Sequence, residues 1–260
     1  MSPGRFEGAR HRRGWAWAAL GAALAAWSGP AAAVVGGQQD AGPLSRATVM
    51  LLSSRGGVCS AVVVARDAVL TAAHCASGAD QYRVHLPGGG ATPILMVPAA
   101  VALHPGYVRG AVRDRRRSVD LALVRTGEEL PPTFVPATLS TRVPAKGEAV
   151  TLGGYGLSRE GDPRSTGQFR SVGLTAVEPH GPGRILLWAA PAPGRPAGAC
   201  EGDSGGPVVA PDGTVAAISS WATGRGAARC GEMSQAVMVS PQRRWIDETL
   251  GGWGRAAVWR

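Results

Sequence analysis

A succession of short β-type runs, broken by Gly- and Pro-rich turns about every ten residues, constrains this 260-residue chain more than any other feature. The runs are Val49–Leu52, Val58–Val64, Tyr82–Leu86, Ile94–Leu103, Leu121–Val124, Val150–Leu152, Ile185–Trp188, Val208–Val209, Val215–Ile218 and Ala236–Val239. Runs of this length make strands, and the Gly, Pro, Asp and Ser between them make tight turns. Helical periodicity is scarce, so the pattern predicts an all-β barrel or sandwich architecture. One helix is expected near the end, with Ser240 as N-cap, Pro241 as first helical residue, Gln242–Leu250 following and Gly251 stopping it. The 45% hydrophobic content argues against general disorder, and the 38 Gly follow no Gly-X-Y period, which excludes collagen.

The amino terminus has the layout of an export signal. Arginines crowd residues 1–13, residues 14–27 (GWAWAALGAALAAW) are apolar, Ser28-Gly29-Pro30 breaks the run, and Ala31-Ala32-Ala33 offers a small-residue cleavage site. Residues 1–33 are therefore expected to be removed on secretion. The apolar run is short for a bilayer span, and no later run is long enough, so no stable membrane span is expected in the mature protein. An oxidising destination makes Cys59, Cys75, Cys200 and Cys230 disulfide candidates, with three pairings open. None forms a CxxC pair, which argues against a zinc site. The net charge of +9 becomes +6 once residues 1–33 are set aside. That moderate excess does not by itself call for a nucleic-acid partner. Part of it sits in Arg109–Arg117 (RGAVRDRRR).

Three short segments carry chemistry. In Gly202-Asp203-Ser204-Gly205-Gly206-Pro207 a serine hydroxyl stands in an open turn, and the N–H groups of Gly202 and Ser204 can converge on a developing oxyanion. Thr71-Ala72-Ala73-His74-Cys75 sets an imidazole among small residues at the end of a β-type run. In Asp120-Leu121-Ala122-Leu123-Val124 a lone carboxylate heads an apolar strand, and a partly buried carboxylate needs a partner such as an imidazole N–H.

On these residues the sequence resembles the trypsin/chymotrypsin-like serine peptidases. The likeness extends over VVGG (Val34–Gly37), TAAHC, HPGY (His104–Tyr107), DLALV, GGYG (Gly153–Gly156), CEGDSGGP (Cys200–Pro207) and SSW (Ser219–Trp221), spanning about residues 34–250. It implies two antiparallel six-stranded β-barrels with a carboxy-terminal α-helix, followed by a tail over residues 251–260. It also implies peptide-bond hydrolysis through an acyl-enzyme, with no metal or organic cofactor. Ser204 would be the nucleophile, His74 the general base and then acid, and Asp120 the carboxylate that orients the imidazole. Gly202 and Ser204 would form the oxyanion hole. The expected partners are protein or peptide substrates and a protein protease inhibitor. The rival expectations are a catalytically silent recognition module on the same scaffold and a basic polyanion-binding protein.

The resemblance also pairs Cys59 with Cys75 and Cys200 with Cys230. It implies that a freed Val34 amine pairs with Asp203 to activate the enzyme. The expected signal cleavage after Ala33 would generate that amine directly. Gly198 stands at the floor of the primary specificity pocket, followed by Ala199, and Ser220, Trp221 and Ala222 form a wall. No carboxylate occupies the floor, so the pocket is expected to take small to medium apolar side chains. Glu232, beyond the long loop Ala222–Cys230, is the one acid that would change this by swinging in.

Overall fold

The computed structural model describes Met1 and residues 34–260, except 79–80, 88–92, 112–113, 115 and 181–184. The predicted signal, residues 1–33, otherwise lies outside the described residues, as do Arg113 and Arg115 of the basic run. Among the described residues no helix is long and apolar enough to cross a membrane.

The strands form two sheets. The first has the order Ile94–Met96, Tyr82–Leu86, Thr48–Ser53, Val58–Ala65, Ala68–Thr71, Ala122–Thr126 and Pro98–Leu103, antiparallel throughout. Its two end strands are consecutive in sequence. The single run expected over Ile94–Leu103 is broken at Val97-Pro98, because proline has no N–H to give the ladder. The sheet is therefore curled, with its ends linked through the chain rather than by a closed ring of hydrogen bonds. The second sheet closes. Pro207–Val209, Ala149–Gly154, Arg170–His180, Leu186–Ala190, Met233–Met238 and Val215–Thr223 form a six-strand barrel, with Val215–Thr223 pairing back onto Pro207–Val209.

Period-two alternation divides the side chains between three cores. Ala61 and Val63 point into the first sheet with Val49, Leu51, Val69, Val84 and Val124. Ala217, Ala236 and Met238 point into the barrel with Leu152, Leu174 and Leu187. The alternate residues Val62, Val64 and Leu70 from one sheet and Ile218 and Val237 from the other meet between them, capped by Ile246 and Leu250. A strand covered on both faces reads as a continuous apolar run rather than as an alternation of apolar and polar residues. That is why residues 61–65 contain no polar side chain.

The carboxy-terminal helix covers Arg243–Gly252, later than expected. Ser240 does not cap it. Ser240–Gln242 form a 3-10 turn, and the Ser240 hydroxyl donates to the Thr141 carbonyl at 2.7 Å. The residues after the helix belong to the body. Val258–Trp259 pair in parallel with Thr138–Leu139, the Trp259 indole N–H donates to Asp247 at 2.8 Å, and the Arg243 guanidinium lies 5.1 Å from the Trp259 ring centre.

A buried acid fixes this tail to the first sheet. Asp67 accepts from Arg255 Nε at 2.8 Å and Nη2 at 3.1 Å, and from Arg125 Nε at 3.1 Å. Burial pushes its carboxyl up, but the hydrogen bonds and charges of the two arginines outweigh this and hold it below the ordinary carboxylate value. A lowered folded pKa contributes stability above the unfolded pKa, lost as pH falls through the folded value. Asp67→Asn is expected to cost about 1–3 kcal/mol at pH 7. Thermal unfolding of both proteins across pH 2–7 checks this, with the two curves converging at the acid end.

Candidate active site

His74 lies in the 3-10 turn Ala73–Ala76, which follows strand Ala68–Thr71. Ala72 and Ala73 are fully buried, so their small size lets the turn seat against the first sheet and leave the imidazole at the surface. The Cys59–Cys75 disulfide ties that turn to the neighbouring strand. Both sulfurs approach the ring, but they are bonded to each other and are not thiolate ligands.

Asp120, 5% exposed, enters from the segment before strand Ala122–Thr126. Its carboxylate receives three donors: the His74 backbone N–H at 2.8 Å, the His74 ring Nδ1 at 2.7 Å and the Ser220 hydroxyl at 2.6 Å. Burial raises its pKa, but the hydrogen bond and charge of His74 and the bond from Ser220 prevail, so the carboxyl sits below its ordinary value. A carboxylate only accepts, so Nδ1 carries the proton, and in the neutral ring Nε2 holds the free lone pair. The expected partnership of Asp120 with an imidazole is thus present.

Ser204 comes from the loop before strand Pro207–Val209 of the barrel. Its Oγ donates to the Ser220 carbonyl at 3.3 Å rather than to His74, and His74 Nε2 faces Cys75 Sγ at 3.6 Å. The two side chains nevertheless share one cavity of about 260 Å³. Gly202 has φ +96°, and a Cβ there would stand 2.7 Å from Gly156 Cα, so glycine is required by both conformation and space. Among the described residues the N–H groups of Gly202 and Ser204 donate to no protein acceptor. Their carbonyls are both held by Ser60, a fully buried residue of strand Val58–Ala65. Its N–H donates to Ser204 O at 2.8 Å and its Oγ to Gly202 O at 2.9 Å. Ser60 Oγ in turn accepts from the Tyr155 N–H at 3.0 Å. Sequence reasoning does not single out Ser60. Its only signal there is position, directly after Cys59 and opposite Met50 in the ladder.

The cavity beside Ser204 is lined by Ala199, Cys200, Ser219, Ser220, Trp221 and Ala222, with Glu201 and Arg229 also lining it. Gly198 stands outside this lining. A Cβ on it would meet Ser234 Oγ at 2.6 Å, and that oxygen accepts from the Ala199 N–H at 2.9 Å. Ser234, paired with Ala222 in the ladder, therefore occupies the space in front of Gly198. The long loop before it leaves this residue without a fixed place in any reading of the sequence. Glu232 does not enter the cavity lining; it pairs with Arg225 at 3.3 Å. Arg229 is tied to Glu160 at 3.2 Å and Glu201 at 2.9 Å, so the rim charges are paired. The Cys200–Cys230 disulfide braces the same wall.

Val34 is fully buried and has φ +54°, a strained conformation for a β-branched residue. Val35 bridges to Gly198. Asp203 is also fully buried, with Gly156 N–H at 2.8 Å and Cys200 N–H at 2.9 Å as donors. Burial pushes its carboxyl up to about 7, against the pull of those two N–H groups, and no cation pairs with it among the described residues.

Comparison with known proteins agrees with the fold. The family model described as Trypsin matches residues 34–246. Human kallikrein-15 is 30% identical over 235 residues, covering 81% of this chain and 89% of the relative. Granzyme M of Rattus norvegicus is 26% identical over 243 residues, covering 85% and 91%. Among solved structures, neuropsin, a serine protease expressed in the limbic system of mouse brain, superposes with a TM-score of 0.67 at 23% identity, covering 83% of this chain and 99% of neuropsin. Human heparin binding protein does so with a TM-score of 0.70 at 21% identity, covering 86% and 100%. The chain is a member of the trypsin family of serine-type endopeptidases.

Proposed function

We propose that this is a secreted endopeptidase whose mature chain starts at Val34. It cleaves peptide bonds with Ser204 as nucleophile, His74 as general base and then acid, and Asp120 as orienting carboxylate. The observation that carries this reading is the hydrogen-bonded line from Ser220 through Asp120 to His74, beside Ser204 in one cavity. A serine hydroxyl is a weak nucleophile at neutral pH and needs an adjacent base. Rotation about Cα–Cβ turns Ser204 Oγ from the Ser220 carbonyl toward Nε2, which takes its proton as Oγ bonds to the substrate carbonyl carbon. The oxyanion receives the Gly202 and Ser204 N–H groups. His74 then gives its proton to the leaving amine as the C–N bond breaks, and water releases the acyl group by the same steps in reverse.

The pocket reading rests on a lining of Ala199, Ser219, Ser220, Trp221 and Ala222, on the absence of a carboxylate at Gly198 behind it and on paired charges at the rim. These support an uncharged, small to medium apolar side chain before the scissile bond. Protein or peptide chains presenting such a residue are the proposed substrates, and a protein inhibitor is a natural further partner. Activation is proposed to follow cleavage before Val34, which relieves the strained residue and supplies the cation that Asp203 lacks. The observation that favours a catalytically silent module instead is the Ser204 hydroxyl's bond to Ser220 rather than His74.

Peptides varied at the residue before the scissile bond are expected to be cleaved best after Ala, Val or Leu, with Arg and Lys poor. Ser204→Ala is expected to lower kcat by about 10⁶-fold and Asp120→Asn by about 10⁴-fold, the scales seen in Ser-His-Asp hydrolases. Full activity in Ser204→Ala refutes the assignment, and a dominant preference for Arg refutes the pocket.

Ser60→Ala is expected to lower kcat on the order of 10-fold with KM within about twofold, because it loosens the carbonyls that aim two oxyanion donors. Affinity for a peptidyl boronate should fall in parallel.

Asp203 gives a pH signature. A carboxyl raised to about 7 in the folded chain makes stability fall as pH rises from the unfolded value near 4 to 7. A chain with a residue still preceding Val34 is expected to show that fall in thermal unfolding, and the chain starting at Val34 is expected to lack it.

A further inference from the structure

Beside the nucleophile's cavity lies a second one of about 540 Å³. Its walls are Tyr107, Val108, Gly110, Ala111 and Trp221, with His74, Asp120 and Ser220 at one side. The two cavities share His74, Ser220 and Trp221, so a chain seated at Ser204 continues across the second. One wall of that cavity is the start of the basic run. Described residues of this loop are hydrogen-bonded: Val108 N–H donates to Ser118 Oγ at 2.8 Å, Arg116 N–H to Ala111 O at 2.8 Å, and Tyr107 OH lies 3.1 Å from Ser77 Oγ. Ala111 is buried, while Arg109, Arg116 and Arg117 are exposed. The Arg109 guanidinium extends over Gly78, close to the His74 turn, where a Cβ would displace it.

Many exposed arginines on the surface are paired with an acid. Arg66, Arg142, Arg159, Arg225, Arg229, Arg243 and Arg244 each have a carboxylate partner. Among the described residues Arg109, Arg116 and Arg117 pair with no carboxylate; the same holds for Arg46, Arg55, Arg164 and Arg195, but these three stand on one loop beside the cavity. Uncompensated like charges cost stability without some gain elsewhere, and beside an open cavity they attract the opposite charge.

We propose that this rim makes the enzyme selective for peptide segments with acidic residues upstream of the cleaved bond, whose carboxylates meet Arg109, Arg116 and Arg117. The inference rests on the peptidase reading above. It leaves the residue directly before the bond to the pocket already described.

The test uses exported protein from the full chain and two peptides that share the residue before the bond, one with Asp and Glu at the next three upstream positions, the other with Asn and Gln. An exposed ion pair changes a rate constant by a factor of about 2–5, so three together are expected to favour the acidic peptide by about 10-fold in kcat/KM at low salt. The ratio is expected to fall toward about 2 at roughly 0.5 M salt, where screening is strong. In the triple variant Arg109→Gln, Arg116→Gln, Arg117→Gln it is expected to approach 1. A ratio near 1 in the unaltered protein, or one that survives the triple substitution, overturns the inference while leaving the peptidase reading intact. So does a variant that loses retention on a heparin column without any change in the ratio, which marks the rim as a polyanion site. No cleavage of either peptide, or of any other, overturns both.

Discussion

The site depends on one buried carboxylate. Asp120 sits where water cannot solvate it, and it is stabilised by accepting three hydrogen bonds from two different parts of the chain. Two come from His74, one from its backbone and one from its ring, so the same anion fixes the turn and the imidazole plane. The third comes from Ser220, on the barrel strand Val215–Thr223 that pairs with the strand following Ser204. Without the charge, Ser220 and His74 lose a common acceptor, and the ring loses the bond that sets its tautomer. The cost of burying the anion is thus offset by the contacts that organise the cleft.

A second link joins the two sheets at the site. Ser60 belongs to the curled first sheet, yet its N–H and hydroxyl hold the carbonyls on either side of Asp203 in the barrel's Ser204 loop. Gly205 packs so closely that a Cβ there would lie 2.0 Å from the Ser60 carbonyl oxygen, which also accepts from the Thr71 hydroxyl at 2.8 Å. The glycines after Ser204 are needed because this is where the sheets touch. The loop's donors are therefore aimed by the first sheet, and its position by the barrel.

Much of this is legible in the residues. Local features survive translation into sequence well: the apolar runs are strands, and the small residues around His74 and the glycines around Ser204 mark tight turns. Strand Arg170–His180 is harder to see although Val172, Leu174 and Ala176 alternate cleanly, because Gly173 and Pro179 look like turn punctuation. Its partner strands suppress the turn tendency, and only the folded sheet reveals them. The helix starts later than its Ser240-Pro241 signal predicts for a similar reason, since Ser240 finds a distant carbonyl at Thr141 instead of its own helix. Ser60, Ser234 and the tail strand Val258–Trp259 owe their roles to partners far along the chain, a relation that spacing in one sequence does not record.

The most direct measurement is the site of covalent labelling by a sulfonyl fluoride in the chain starting at Val34, read by peptide mass spectrometry. One equivalent of label is expected on Ser204, with loss of labelling when His74 is replaced by Ala. Failure to label Ser204, or equal labelling without the imidazole, would contradict the claim that Asp120 and His74 activate that hydroxyl.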